Sequence, residues 1–310
     1  MSFWTDKKLL ITGSEGLMGK PMSRMAAQKG AAIIPYDKAL GADVLSVPQI
    51  YADFEHLSPD IVIHLAAVSG VNVSRETPQE SFALNVMGTV NVLEASRRAD
   101  VSAVVVAASN HIYGQQSKRP TREDAQFNQL DPYSASKTCA DYVTRSYAHT
   151  YNLPTAVIRN TNCYGPNDPH GDHIIPGTIR TILSGNPPVI RGKGETKKAY
   201  LYVDDVAEAY LMVAEWLAKG GKKGEAFNVS TTNLSVITLV NQIMALMEDE
   251  IAVISPAQSP IIEGRPDDQA DEDLDWTKIM EEVGWTPKHT LAQGLAKTID
   301  GFRARRKVAT

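Results

Sequence analysis

Short apolar runs alternate along the chain with longer stretches in which hydrophobic residues return every three or four positions. The runs are Lys8 to Ile11, Ala31 to Tyr36, Ile61 to Leu65, Ser102 to Ala107 and Thr155 to Arg159. Each is too short for a buried helix and most are rich in β-branched residues, so they read as strands covered on both faces. Between them, helices are predicted from the first glycine-rich turn to about Gly30, over Pro48 to His56, from about Pro78 to Ala99, and from Tyr133 to about Tyr151. Leu84, Val86, Val90, Val92 and Leu93 are among the apolar positions of the third. Strand and helix taking turns in this way predict a parallel sheet, because a parallel pair needs a crossover and a helix is the usual one.

The pattern loosens after Tyr164, Gly165 and Pro166, where Asn167 to His173 is polar and turn-rich. A helix is expected from Ile174 to about Ser184, short strands over Pro188 to Gly192 and Tyr200 to Val203, and a helix capped by Asp204 and Asp205 that runs through Trp216. Glu225 to Val229 reads as a strand returning to the main sheet, and Ser235 to Met247 as a helix. The expected division is a first domain over residues 1–165, with 201–232 returning to it, and a smaller, mainly C-terminal α/β lobe over 166–310 that closes over a substrate.

The first strand runs directly into Thr12 to Pro21, with glycines at 13, 16 and 19. Glycines at this spacing suit a tight turn, close approach of backbone to a pyrophosphate, and close packing of helix on strand, while the free N–H groups of the following helix face the phosphates. Glu15, Leu17 and Met18 share that turn and count with Gly13 and Gly16 as cofactor-binding. Asp37 follows the second strand, where a carboxylate holds the adenosine ribose hydroxyls, which favours NAD over NADP. Lys38 beside it is either an exposed turn residue or a contact for a 2′-phosphate. Asp43 and Val44 fall where adenine could be contacted, and the small residues Ala66 and Ala67, after Leu65, let a cofactor pass the end of the third strand. The predicted fold is α/β, a Rossmann-type doubly wound parallel sheet. Ligands of such sheets bind outside the carboxyl ends of the strands, where Gly13, Asp37, Ala66, Ser109 and Asn162 converge.

Tyr133 and Lys137 lie one helical turn apart on the same face, so an ammonium can sit beside a phenol. A tyrosine ionises near pH ~10, and a positive neighbour favours the charged form, making the phenol a usable base. Ser109 could share a hydrogen bond at the same oxygen. Such a group suits removing a proton from an alcohol while a hydride leaves the same carbon.

At 310 residues and 43% hydrophobic composition the chain can bury a large core. A net charge of -5 gives no electrostatic reason to expect nucleic acid or an anionic membrane as partner. Lys222 and Lys223, and the run from Arg303 to Lys307, read as a solvated loop and tail. The two cysteines, Cys139 and Cys163, are far apart and match no metal pattern, which fits a reducing compartment; with no signal-peptide pattern and no run of about 18 apolar residues, a cytoplasmic location is expected.

The chain resembles extended short-chain dehydrogenases/reductases of the NAD-dependent sugar epimerase/dehydratase family. The resemblance rests on the Thr12 to Gly19 turn, His64 to Ala67, Ser109 four residues before Tyr113, Tyr133 with Lys137, Asn162 to Pro166, and Tyr202 to Asp205. It implies that Tyr133 transfers the proton, that Lys137 lowers its pKa and binds the nicotinamide ribose, and that Ser109 steadies the reacting oxygen. Substrates of the family are usually nucleoside-diphosphate sugars, with Asn162 matching its diphosphate-contacting asparagine and Arg265 its late nucleotide-binding arginine. Where related dehydratases carry an arginine before the Tyr-Leu-Tyr-Val strand, this chain has Lys197 and Lys198, with Arg191 upstream. Lysine binds phosphate as a point charge without the bidentate fork. Members commonly form homodimers through helices that here correspond to Ser81 to Arg97 and Ser134 to Tyr147.

The resemblance implies a shared first step, oxidation of a sugar hydroxyl to a keto sugar. A 4,6-dehydratase then uses Asp-Glu or Asp-Lys after the catalytic Ser or Thr, whereas this chain has Asn110 and His111. Asparagine supplies no proton at neutral pH, while histidine can act as acid or base. The leading expectation is therefore a nucleotide-sugar epimerase. The alternatives are a dehydratase using His111, a sugar dehydrogenase or reductase, which the Ser-Asn-His string also resembles, and a non-catalytic NAD-binding regulator. His111 joins the catalytic set; Asn110, Asn162, His173, Arg191, Lys198 and Arg265 form the substrate-binding set. His170, Asp172 and His173 match no common zinc spacing and are expected to line an entrance rather than hold a metal.

Overall fold

The computed structural model describes residues 2–166, 168–190, 192–254, 261–262 and 271–309. Its centre is a six-stranded sheet built from β1 (Lys8–Thr12), β2 (Ala32–Tyr36), β3 (Ile61–His64), β4 (Ala103–Ala107), β5 (Thr155–Asn160) and a returning strand, Glu225–Val229. The spatial order is the returning strand, β5, β4, β3, β1, β2, and every neighbouring pair is parallel. Chain order reverses direction beside β1, and in open α/β sheets that switch point is where a crevice opens at the strands' carboxyl ends.

Central strands read as unbroken apolar runs because helices cover both faces. Leu9, Leu10 and Ile11, Ile61 to Ile63, and Ala103 to Ala107 are all buried. One face packs Leu10, Val62, Val104 and Val106 against Ile50 and Phe54 of the helix Val47–Leu57 and Val92 and Leu93 of the helix Thr89–Arg98. Spacings of four and one along those helices put each pair on a single inward stripe.

The helix expected over Pro78 to Ala99 is not uniform. It begins as Pro78–Phe82, widens to a π-helical segment over Ala83–Gly88, and resumes as Thr89–Arg98. Asn85, within the wide turn, clamps the β3 exit loop: its Oδ1 accepts from Val68 N at 2.8 Å, and its Nδ2 donates to Val68 O at 3.1 Å. Nδ2 also donates to Ser136 Oγ at 2.9 Å.

The chain divides into two compact units. The first comprises Met1–Asn160, Val206–Val229 and Leu274–Thr286, and the second Thr161–Asp205, Ser230–Asp273 and Pro287–Thr310. Leu274–Thr286, expected in the C-terminal lobe, belongs to the first unit because its residues pair with the central sheet's side: Lys278 Nζ donates to Ala226 O at 2.9 Å, and Leu274 packs with Ile112 and Tyr113. In the second unit Asn162–Tyr164 pairs in parallel with Tyr200–Tyr202, and Lys197–Lys198 pairs antiparallel with Leu234–Ser235. Asp204 and Asp205, expected to cap the helix Val203–Ala218, lie in its first turn, and the Asp205 carboxylate instead accepts from the backbone of Lys288 at 3.1 Å and His289 at 3.0 Å.

No described helix is long and apolar enough to cross a membrane.

Candidate active site

The glycine turn follows from sterics. Gly13 has φ +69°, and a Cβ there would stand 2.9 Å from Ala66 N; one on Gly19 would stand 2.3 Å from Gly13 O. No residue but glycine fits either place without moving backbone. The next helix, Gly19–Gln28, starts without a side-chain cap; Lys20 N donates to Gly16 O at 3.4 Å, and Pro21 carries no N–H. Ser14 Oγ, in the same turn, is buried with no hydrogen-bond partner among the described residues. A cradle closed to any Cβ and an orphaned hydroxyl beside a helix start fit a dinucleotide's pyrophosphate.

Asp37 lies beside this turn, its Oδ2 accepting from Glu15 N at 3.1 Å and its Oδ1 from Ala39 N at 2.9 Å. Glu15 itself is exposed and pairs with Lys20 at 3.1 Å. Leu17, Met18, Leu65, Ala66 and Ala67 are half-buried around the ends of β1 and β3. Asp43 Oδ1 accepts from Leu45 N at 2.9 Å, and Val44 is buried with its carbonyl held by Asn91 at 2.9 Å.

Behind the turn runs a buried relay that the sequence did not announce. Thr12 Oγ1 accepts from Leu65 N at 3.1 Å and Ala66 N at 3.2 Å and lies 2.7 Å from His64 Nδ1. His64 Nε2 lies 3.1 Å from Thr89 Oγ1, which donates to Asn85 O at 2.7 Å. Each hydroxyl has one proton: Thr89 spends its own on Asn85, so His64 carries hydrogen on Nε2 and takes Thr12's at Nδ1. Burial, with the Lys137 charge adding, pushes this imidazole down to about 3, so it stays neutral. The only sequence signal was a histidine inside an apolar strand.

Ser109, at the end of β4, caps the turn Asn110–Tyr113 by accepting from His111 N at 3.2 Å, and its hydroxyl acts to lower the pKa of the Tyr133 phenol. Asp131 caps the helix Pro132–Tyr151, accepting from Ser134 N at 3.1 Å, and this fixes where Tyr133 starts its first turn. His111 meets the Tyr133 ring edge-on, with centroids 5.9 Å apart and planes at 77°. Asn110 is buried in the same turn. Ser109, His111, Tyr133 and Lys137 are thus gathered at the end of β4.

The expected direct pairing of Lys137 with the phenol takes another form. Lys137 Nζ donates to Ala107 O at 2.9 Å, and burial brings its pKa down to about 8. The Tyr133 phenol is raised, chiefly by burial and further by Asp131, and the pull in the other direction comes from the Ser109 hydrogen bond. Desolvating a phenolate outweighs what one hydroxyl donor returns.

In the second unit, Asn162 and Lys198 meet at one carboxylate. Asn162 Nδ2 donates to Glu272 Oε2 at 2.9 Å, and Lys198 Nζ lies 3.7 Å from Glu272 Oε1. Glu272 had no motif to mark it. His173 Nδ1 and His170 Nδ1 lie 3.1 Å and 3.0 Å from the two oxygens of buried Asp168. These ligand-type atoms all fall within 4.8 Å of one another, and the hydrogen bonds already satisfy them. Burial pushes the Cys163 thiol up, with Asp168 and Asp204 adding to the rise, so it is no ready nucleophile. Arg191 and Arg265 lie outside the described residues.

The model of the NAD dependent epimerase/dehydratase family matches residues 9–230. The chain belongs to that family. As a family member it is an extended short-chain dehydrogenase/reductase, an enzyme of sugars, and its cofactor is NAD. It is 30% identical over 320 residues to a UDP-glucose 4-epimerase of Mycolicibacterium smegmatis, covering 96% of this chain and 98% of the relative. It is 29% identical over 333 residues to a probable dTDP-glucose 4,6-dehydratase of Sinorhizobium fredii, covering 95% and 92%. Among solved structures, a UDP-glucose 4-epimerase of Thermotoga maritima with UDP-glucose superposes with a TM-score of 0.85 at 27% identity, over 96% of this chain and 99% of that one. Members of the family with either activity are thus similar to this chain to nearly the same degree.

Proposed function

We propose that this family member is an NAD-dependent nucleotide-sugar epimerase working through a transient keto sugar. The observation that carries the reading is the gathering of Ser109, His111, Tyr133 and Lys137 at the end of β4, in the same unit as the glycine cradle and Asp37. Bound NAD supplies a reversible hydride acceptor. The turn of Gly13, Gly16 and Gly19 at the start of the helix Gly19–Gln28 would hold its pyrophosphate, Asp37 the adenosine ribose and Lys137 the nicotinamide ribose. Tyr133 takes the proton of a sugar hydroxyl while Ser109 steadies that oxygen, and the same phenol returns the proton when the carbonyl is reduced from its other face.

Epimerase is favoured over the familiar 4,6-elimination by Asn110, which stands where that elimination needs an acid and has no proton to give. His111, edge-on to Tyr133, supports a second reading, a dehydratase in which this imidazole supplies acid or base. A nucleoside diphosphate is the substrate handle, supported by Asn162 and Lys198: both already face an anion, the Glu272 carboxylate. Two free cysteines, one of them exposed Cys139, support a reducing, cytoplasmic setting. A homodimer is supported by Phe82, Met87 and Tyr142, large apolar side chains left exposed on the two helical stretches by which the family pairs.

Incubation with a panel of UDP- and dTDP-sugars tests the reading. An isomer without net NADH supports it; loss of water identifies the dehydratase, accumulating NADH a dehydrogenase, and silence across the panel a regulator.

A further inference from the structure

Arg159 is fully buried in β5, and no step above uses it. A buried guanidinium is costly unless every donor is met, and an apolar replacement of a buried ion pair is often no less stable, so stability alone gives little reason for one here. Its Nε and Nη2 donate to the two oxygens of buried Asp141 at 2.8 Å and 3.2 Å. Its Nη1 donates to Tyr113 Oη at 2.8 Å and to Glu123 O at 2.8 Å. The Tyr113 hydroxyl in turn donates to Asn228 Oδ1 at 2.7 Å, and Asn228 Nδ2 donates to Thr121 O at 3.0 Å.

These partners have a common property. Tyr113 closes the turn Asn110–Tyr113 that Ser109 caps. Asp141 stands one helical turn beyond Lys137 in the helix that carries Tyr133. Thr121 and Glu123 lie in the connection between those two elements. One side chain therefore grips, from below, the turn holding the serine, the helix holding the tyrosine and the chain joining them. A planar guanidinium has the donors to do this along three directions, and an ammonium does not.

We propose that Arg159, acting through Tyr113 and Asp141, is the positioning residue that sets the Ser109 hydroxyl against the Tyr133 phenol. The inference rests on reading Ser109 and Tyr133 as the reacting pair. Misplacement of such a pair by about 1 Å can cost on the order of a hundredfold in rate.

The mildest test is Tyr113→Phe, which removes one hydroxyl and keeps the ring packed with Ile112, Leu274 and Phe127. Arg159→Lys is the second variant, keeping a charge for Asp141 without the fork. In both, kcat is expected to fall about ten- to a hundredfold while KM and the Kd for NAD stay within about twofold. Carbon-13 tyrosine NMR, with the Tyr133 resonance assigned by its loss in Tyr133→Phe, should show that phenol titrating at higher pH than in the wild type, because the Ser109 bond that opposes burial and Asp131 is loosened. Should Arg159→Lys fail to fold, Tyr113→Phe alone decides. An unchanged Tyr133 titration in folded Tyr113→Phe overturns the proposal, as does a fall in kcat that merely tracks a fall in Tm. The NMR readout needs no substrate. If the wild type turns over no nucleotide sugar, the functional reading fails while the positioning claim is still decided by the titration.

Discussion

Thr12 and His64, register partners on neighbouring parallel strands, share a buried hydrogen bond 2.7 Å long. Burial, with the Lys137 charge adding, keeps the imidazole neutral in the fold, with a pKa of about 3 against 6.5 for a free side chain. The folded value is the lower one, so the unfolded chain binds a proton that the folded chain refuses, and stability is lost as pH falls below about 6.5. By about pH 5 the loss amounts to about 2 kcal/mol, a figure set by the unfolded pKa alone because the folded one lies well below. His64→Gln lacks this proton. Urea denaturation should find the variant less stable than wild type near pH 7, and the gap should narrow by about that amount near pH 5; a constant gap would mean that His64 is not held neutral.

Lys137 has the opposite balance of cost and use. Burial lowers its pKa from 10.5 to about 8, so the folded chain pays to keep the ammonium at every pH below about 8, and the penalty fades as pH rises toward 10.5. Lys137→Met removes the charge but also leaves Ala107 O without its donor. Relative to wild type, the variant should be stabler near neutrality, and that advantage should shrink by about 2 to 3 kcal/mol near pH 10. Its affinity for NAD and its turnover should both fall, a pairing of higher stability with lower activity that denaturation and calorimetry measure together.

What the sequence disclosed was mostly what repeats or what sterics forbid. Five apolar runs marked β1 to β5 because a strand covered on both faces is made mostly of apolar residues. Gly13 and Gly19 were legible because a Cβ has nowhere to go. The relay from Thr12 to Asn85 was not, since Thr12, His64 and Thr89 lie 25 or more residues apart and are ordinary polar residues one by one. Glu272 was hidden for the same reason, as Asn162 and Lys198, which meet its carboxylate, are far away in the chain. The bond made by Lys137 was misjudged because helical spacing tells which side chains share a face, not which acceptor an ammonium finds there.

Gly19→Ala tests the cofactor cradle. The added Cβ would meet Gly13 O at 2.3 Å and Ser14 Cα at 2.6 Å, all backbone with no flexible end to yield. Overpacking of this sort costs about 1 to 3 kcal/mol. Urea denaturation should show a loss of stability in that range, and calorimetry a weaker affinity for NAD, about tenfold for each 1.4 kcal/mol by which the displaced turn fits the pyrophosphate less well.

Met87 and Tyr142 are 52% and 58% exposed. If they meet their counterparts in a second copy, Met87→Glu places a like charge and its hydration shell in an apolar seam. Light scattering should then find a dimer for the wild type and a monomer for the variant. A wild-type monomer would remove the proposed homodimer.

Tyr133→Phe bears on the chemistry most directly. The ring keeps its edge-on contact with His111, so the pocket is preserved, while the hydroxyl whose pKa Ser109 lowers is gone. Proton transfer by a positioned side chain contributes roughly a hundred- to ten-thousandfold to rate. Turnover of whichever nucleotide sugar the panel identifies should fall by at least that much, with the Kd for NAD changed less than about twofold, since no phosphate or adenosine contact involves this oxygen. The wild-type pH profile should rise with pH as the phenol ionises, and because burial and Asp131 raise Tyr133 above its ordinary value in the protein alone, the rise should move to lower pH when the positively charged oxidised cofactor is bound. Turnover retained in Tyr133→Phe would assign the base to another group, with His111 the nearest ring.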